Sequence, residues 1–161
     1  MPKLRLEVFV PKNGIADPKA LMRVVENTLN EQANAVKMEF NRTTLTWKGR
    51  PEFVIDSRPG ERMIYTMSDI YGFVSRGTKP HRIVPRRAKA LHFFRTGFRA
   101  KSRPNSLRAN KGARATKDET YSQGVNHPGN AARNFDLTIQ KRWQKELPVQ
   151  MQRAIDAEFR R

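Results

Sequence analysis

The spacing of apolar positions changes several times along this chain, and each change marks an element. In KLRLEVFV, residues 3–10, Leu4, Leu6, Val8 and Val10 alternate with charged or aromatic neighbours, which predicts a half-buried strand stopped by Pro11–Gly14. Beyond it the spacing lengthens to three and four residues: Leu21, Val24, Val25, Leu29, Ala33, Val36 and Phe40. With Asp17 as N-cap and Pro18 in the first turn, this predicts an amphipathic helix of about 20 residues. Glu26, Glu31 and Glu39 are expected on its solvated face.

Three short β-like runs follow, TTLTW (43–47), EFVI (52–55) and RMIYTM (62–67), separated by the turn signals KGRP and DSRPGE. They read as consecutive antiparallel strands. Ile70–Val74 leads to the breaker Gly77-Thr78, then to a short strand at Ile83-Val84 and another at LHFF, 91–94. From Thr96 to Lys117 the periodicity vanishes and Gly, Pro, Ser, Asn, Arg and Lys take over. A structureless connection of that length exceeds the ~12–15 residues usual in compact domains and is expected to be a functional or flexible basic loop. TYSQGV (120–125) predicts one more strand and HPGN (127–130) a turn. A final helix is expected from near Asn130, carrying Ala132, Phe135, Ile139, Trp143 and Leu147, and resuming through Met151, Ile155 and Phe159 after Pro148. A proline at that position predicts a bend or a break into two helices.

These elements predict an α+β fold: a mostly antiparallel sheet with a long helix in the N-terminal half and a C-terminal helix packed on it. A chain of 161 residues suits one domain, 1–161, with the basic loop 96–117 as an extension within it. An apolar fraction of 37% against 29% charged residues implies that part of the chain stays outside the core.

Charge sharpens this division. The net charge is +17, yet residues 1–69 hold 11 basic and 9 acidic groups and residues 118–161 hold 7 and 6. Between them, 14 Lys and Arg stand with no acid at all, Arg76, Lys79, Arg82, Arg86, Arg87 and Lys89 first, then Arg95, Arg99, Lys101, Arg103, Arg108, Lys111, Arg114 and Lys117. The last eight are candidate contacts to DNA or to an acidic protein face, since such a field attracts polyanions.

Little else carries chemistry. The absence of cysteine excludes a disulfide framework and thiolate metal sites, and fits a reducing compartment and the outside of a particle equally. The first residues lack the continuous apolar stretch of a secretory leader, and no run approaches the ~18 apolar residues of a membrane span, so a soluble protein without membrane contact is expected. His81, His92 and His127 lie far apart with no metal-ligand spacing, and no phosphate-binding glycine motif occurs. No cofactor, no metal and no catalytic residue is expected. Tyr71, Phe73, Phe93, Phe94 and Phe98 are candidates for base stacking, although a strand at 91–94 turns at least one of its two phenylalanines to the core.

The segment YGFVSRGTKPHRIVPRRAKALHF, followed after the loop by VNHPGNAARNF and the C-terminal helix, resembles the tail-completion or neck proteins of long-tailed bacteriophages. Four groups carry the likeness: Tyr71 with Gly77 and Thr78; Pro80 and His81 with Ile83 and Pro85; Lys89, Ala90 and Leu91 with Phe93; and His127, Pro128 and Gly129 with Ala132 and Phe135. The likeness covers residues 64–140. It departs at Ser75-Arg76, where an acidic residue commonly precedes the Gly-Thr of this family.

What the resemblance implies is a virion protein made in the host cytoplasm and located at the head–tail junction. It would form a homo-oligomeric ring of six subunits that joins the tail tube to the portal-connector stack and leaves a channel for genomic DNA. Its partners would be further copies, neck, connector and tail proteins, and DNA in passage. The motif residues would act as scaffold: Gly77 for a turn, Pro80, Pro85 and Pro128 as rigid corners, Gly129 for a left-handed backbone position. The basic window alone supports an alternative, a nucleic-acid-binding protein outside any virion. A dedicated binder of that kind is expected to set its cations on ordered elements, whereas Arg99–Lys117 falls in the expected loop, which favours assembly.

Overall fold

The computed structural model describes residues 17–94, 104–107 and 119–159. The expected first strand at 3–10, most of the loop at 96–117 and all eight candidate contacts from Arg95 to Lys117 lie outside the described residues. In chain order the elements are α1 (Pro18–Thr43), β1 (Val54–Arg58), β2 (Glu61–Tyr65), α2 (Asp69–Arg76), β3 (His81–Ile83), β4 (Leu91–Phe94), β5 (Glu119–Ser122), β6 (Val125–His127) and α3 (Phe135–Phe159). The class is α+β. Among the described residues the strands form three separate antiparallel ladders, β1–β2, β3–β6 and β4–β5, rather than one sheet.

The chain divides into two compact units, leaving the first twice and returning to it twice. The first holds α1 up to Asn41, the hairpin segment Pro51–Met67 and α3 from Asp136; the second holds Arg42–Arg50 and Ser68–Phe135.

In the first unit α1 begins where the sequence places it. Asp17 Oδ1 accepts the amide of Lys19 at 2.9 Å, satisfying a donor the first turn leaves open, while Pro18 sits where no N–H is needed. The helix runs 26 residues. It pairs antiparallel with α3: Arg23 meets Glu158 at one end, and Glu39 meets Arg142 and Trp143 at the other. Ile139, Trp143, Leu147 and Met151, one per turn of α3, are buried with Ala33 and Phe53. Burying Ile139, Leu147, Met151 or Phe53 contributes about 1.5–3 kcal/mol each relative to exposure. Phe53 stacks on Phe40 at 5.2 Å.

Pro148 neither ends nor divides α3, which continues to Phe159. The proline lies on the exposed face, as does Gln144, whose carbonyl loses its partner, so water can satisfy that oxygen while the buried stripe stays intact. The helix starts at Phe135 rather than Asn130, because Asn130, Arg133 and Asn134 are committed to other backbone hydrogen bonds. The solvated-face expectation fails for Glu39, which is buried, and for Glu26, which is half-buried; Glu31 is exposed.

The hairpin β1–β2 pairs Val54 with Tyr65 through Arg58 with Glu61. Its turn is tied to α1 by one carboxylate. Glu26 accepts the Gly60 amide at 2.6 Å and an Arg62 Nη2 donor, while Arg62 Nε donates to Asn30 Oδ1 at 2.6 Å and its Nη1 to the carbonyls of Arg58 and Glu61.

In the second unit TTLTW is not a strand. α1 reaches Thr43, and the chain then turns with the Trp47 amide donating to the Thr44 carbonyl at 2.9 Å. The two threonines are almost wholly buried, so their β-branched shape serves packing here and not a ladder. Consequently the expected three-strand meander is a two-strand hairpin. Residues 69–76, to which the sequence reading assigns no element, form helix α2, and TYSQGV divides into β5 and β6 where Ser122 Oγ bonds both the amide and the carbonyl of Gly124. The core of this unit is aromatic: Tyr71 packs between Trp47 at 6.2 Å and Phe135 at 5.9 Å.

Candidate functional site

The motif groups that flank the long loop in sequence meet in the second unit, and α2 sets their geometry. Ser68 caps the helix by accepting the Tyr71 amide at 3.2 Å. Tyr71 and Ser75, four residues apart, turn inward, and Ile70 and Phe73 on another face are 66% and 57% exposed. At the far end the carbonyls of Val74 and Ser75, which a helix terminus leaves without partners, accept the amides of Arg133 and Asn134. Asn134 holds φ 55°, a left-handed conformation that asparagine tolerates, and its side chain bonds Asn105 Oδ1 at 2.9 Å.

Past α2 the two segments clasp each other. Thr78 and Asn130 exchange both backbone hydrogen bonds, at 3.0 and 3.1 Å, and Thr78 Oγ1 also accepts the Asn130 amide. Two glycines allow the approach. Gly77, at φ 77°, faces the backbone of Asn130 and Ala132, and Gly129, at φ 82°, faces that of Thr78 and Lys79. A Cβ on Gly77 would stand 2.6 Å from the Asn130 carbonyl, and one on Gly129 would overlap that of Thr78. Each glycine thus lies against the chain of the other motif.

The ladder β3–β6 extends the clasp, with His81 opposite His127, Arg82 opposite Asn126 and Ile83 opposite Val125. The two imidazoles stack at 5.1 Å. His81 Nδ1 donates to the Lys79 carbonyl at 2.8 Å, and His127 Nδ1 accepts the Gly129 amide at 3.0 Å. His127 therefore carries its proton on Nε2, and ligating a metal there would cost the bond that shapes the His-Pro-Gly turn. The pair reads as turn chemistry. Among the described residues no three His, Cys, Asp or Glu side chains gather as a metal site, and no helix is long and apolar enough to cross a membrane.

The remaining motif residues take separate places. Pro80 and Pro128 are exposed corners beside the clasp, Ile83 sits in β3, Pro85 and Ala90 are half-buried, and Phe135 is buried on Tyr71. Leu91 and Phe93 belong to β4, which pairs with β5 from Leu91–Ser122 to Phe94–Glu119 and so brings together the two ends of segment 95–118. On that ladder His92 stacks on Tyr121 at 4.8 Å. Of the base-stacking candidates, Tyr71 is buried, Phe93 half-buried and Phe73 exposed, while Phe98 and the side chain of Phe94 lie outside what is described.

Residues that motif reading passes over complete the clasp: Ser75, Asn105, Asn130, Arg133 and Asn134. Two asparagines close after Pro-Gly are a turn signal, but nothing in the chain announces that they bond the end of α2. Ser75, at the position of departure from the family pattern, is buried, and Arg76 beside it is exposed.

Charge divides between the units. By sequence the first unit carries 14 Lys and Arg against 12 Asp and Glu, a net of +2, and the second carries 18 against 3, a net of +15. In the first, five ion pairs join described residues, Glu26–Arg62 and Glu39–Arg142 among them. In the second, the described acids are Asp69 and Glu119, and the ion-pair contact among described residues is His92–Glu119 at 3.6 Å. Arg76, Lys79, Arg82, Arg86, Arg87 and Lys89 are all exposed and form no ion pair with a described residue. No protein-family model, curated protein or solved structure matches the chain.

Proposed function

We propose that this protein is a structural component of a tailed bacteriophage virion, a neck or tail-completion protein that forms a ring at the head–tail junction and leaves a channel for DNA. The observation that carries the reading is the clasp. The motif groups at 77–83 and 127–130, about fifty residues apart in sequence, bond each other through two backbone hydrogen bonds, two close-fitting glycines and a stacked histidine pair. Residues so engaged act as a frame, and the chain leaving it from β3 and entering it at β6 forms the ladder β4–β5, which flanks segment 95–118. Exposed apolar side chains on α2, Ile70 and Phe73, give such a frame surface to bury against a neighbour. A closed ring buries such surface through head-to-tail contacts.

The second unit's charge has a consequence for assembly. Copies repel one another through a net +15 each, so rings should form more readily as salt screens that repulsion. The test is light scattering on nuclease-treated protein at low and high salt, with negative-stain images of the same fractions and a pull-down on purified tails and DNA-filled heads. Discrete rings, or saturable attachment to either particle, support the reading. A monomer at both salts that joins neither particle overturns it.

A further inference from the structure

We infer that the exposed cations of residues 76–89 form a surface that binds the phosphate backbone of nucleic acid. The inference deepens the joining-protein reading by naming the face that meets DNA, but it stands on the charge of the second unit and survives if no ring forms.

Three observations carry it. The six cations Arg76, Lys79, Arg82, Arg86, Arg87 and Lys89 fall within fourteen residues and are exposed, and no described acid neutralises any of them. The chain that bears them is held: Arg76 ends α2, Thr78 is bridged to Asn130, and Arg82 sits in β3 opposite Asn126. Arg76, Lys79 and Arg82 are thus set on or beside hydrogen-bonded backbone, with Arg86, Arg87 and Lys89 following in the bend between β3 and β4, and cations on held backbone give up less freedom on binding than cations on an untethered chain. Four of the six are Arg, whose planar fork matches phosphate oxygens in pairs of hydrogen bonds.

An acidic protein face is the competing partner, and composition argues against it. The centres of protein–protein interfaces are depleted in charged residues, whereas nucleic-acid interfaces are far more polar and positive. The described residues of the second unit, ten Lys and Arg against Asp69 and Glu119, belong to the second kind. Base readout is not part of the inference, because phosphate contacts position a protein without reading sequence.

The experiment measures binding of the full chain to a fluorescent 30-base-pair duplex of mixed sequence, the matching single strand and a polyglutamate of similar charge, across a salt series. Two charge-matched triple variants are compared, R86S/R87S/K89S in the proposed surface and K19S/K141S/R153S on exposed positions of the first unit. The first should weaken duplex binding by roughly tenfold or more at 0.1 M salt and reduce the slope of log K against log salt by about one per cation removed. The second should leave both nearly unchanged, and thermal melts of both should match the parent. Equal loss in the two variants would mean that net charge alone drives binding, and no loss in the first would place the contact elsewhere; either overturns the inference. Tighter binding of polyglutamate than of both nucleic acids overturns it in favour of an acidic protein partner. The ratio of duplex to single-strand affinity identifies which form the surface takes. Because binding is read on whatever oligomer the protein forms, a monomer that joins neither tails nor heads but binds DNA upholds the inference while the ring reading falls.

Discussion

The two units of this molecule solve the problem of charge in opposite ways. In the first, Arg23, Arg58, Arg62 and Arg142 each find a carboxylate, and Arg62 is further bonded to Asn30 and two backbone carbonyls. Such pairs are worth little singly at the surface, but the near-balance of +2 removes self-repulsion from a unit whose cohesion comes from the α1–α3 stripe. The second unit keeps few acids and packs a small aromatic cluster under a backbone clasp. Its surplus cations do nothing for its own stability, and a fold that tolerates them needs tight backbone fitting elsewhere. Side-chain charges are paired within the first unit, whereas the exposed cations of 76–89 in the second are not paired with any described acid.

A substitution in the clasp should separate the two units most clearly. Gly129→Ala should destabilise the second unit by roughly 3 kcal/mol or more, since the left-handed conformation costs ~1–2 kcal/mol and the added Cβ meets the Thr78 carbonyl. Hydrogen exchange followed by mass spectrometry resolves the two units: amides of 76–83 and 125–134 should lose protection first. Equal loss across α1 and α3 would show that the units do not differ in what holds them.

In the first unit the corresponding target is Glu39, buried between Arg142 at 2.7 Å and the Trp143 indole N–H at 3.1 Å. Glu39→Ala leaves that N–H buried without a partner and should cost about 1–3 kcal/mol in urea unfolding. Glu39→Gln keeps an acceptor for the indole and should recover a large part of the loss. Equal losses would mean that the charge pairing with Arg142 matters more than the indole bond.

A smaller effect separates hydrogen bonding from aromatic packing in the clasp. His127→Asn preserves an acceptor near the position of Nδ1 for the Gly129 amide, whereas His127→Ala removes it and should cost about 1 kcal/mol. If both variants lose the same amount, the stack on His81 is what counts.

The smallest effect is a local one in acid. The Gly60 amide, and after it the Arg62 guanidinium, hold the Glu26 carboxyl below its ordinary range. A group whose folded pKa is depressed stabilises the fold above its unfolded value and loses that contribution as pH falls through the folded one. Protection of the Gly60 amide, corrected for intrinsic exchange, should therefore fall as pH drops below the ordinary carboxylate range. Glu26→Gln should lower the protection at neutral pH and remove that pH dependence. Persistence of the dependence would assign it to another acid.

Much of the architecture is legible in residue order, and the misses follow one rule. α1 is announced by its cap and by seven apolar residues at helical spacing, and the β1–β2 hairpin by the Pro-Gly turn at 59–60. β4 lies where LHFF places it. α2 escapes notice because eight residues with Tyr71 and Ser75 inward and Ile70 and Phe73 outward are too short to show a period. Thr43 and Thr44 read as strand because β-branching favours strands when nothing else is known, and burial reassigns them. Glu39 reads as a surface acid because its partner lies 104 residues away.

The charge asymmetry, the absence of thiol chemistry and the two motif groups belong to the sequence by itself, since composition and order do not depend on folding. Folding decided that the motif groups lock onto each other and that Gly77 and Gly129 each face the other's backbone. The physical reason is range. Capping, turns and periodicity act over a few residues and leave their mark in neighbouring letters, whereas a buried hydrogen bond or a Cβ-free contact joins positions that only the folded chain brings within a few ångströms.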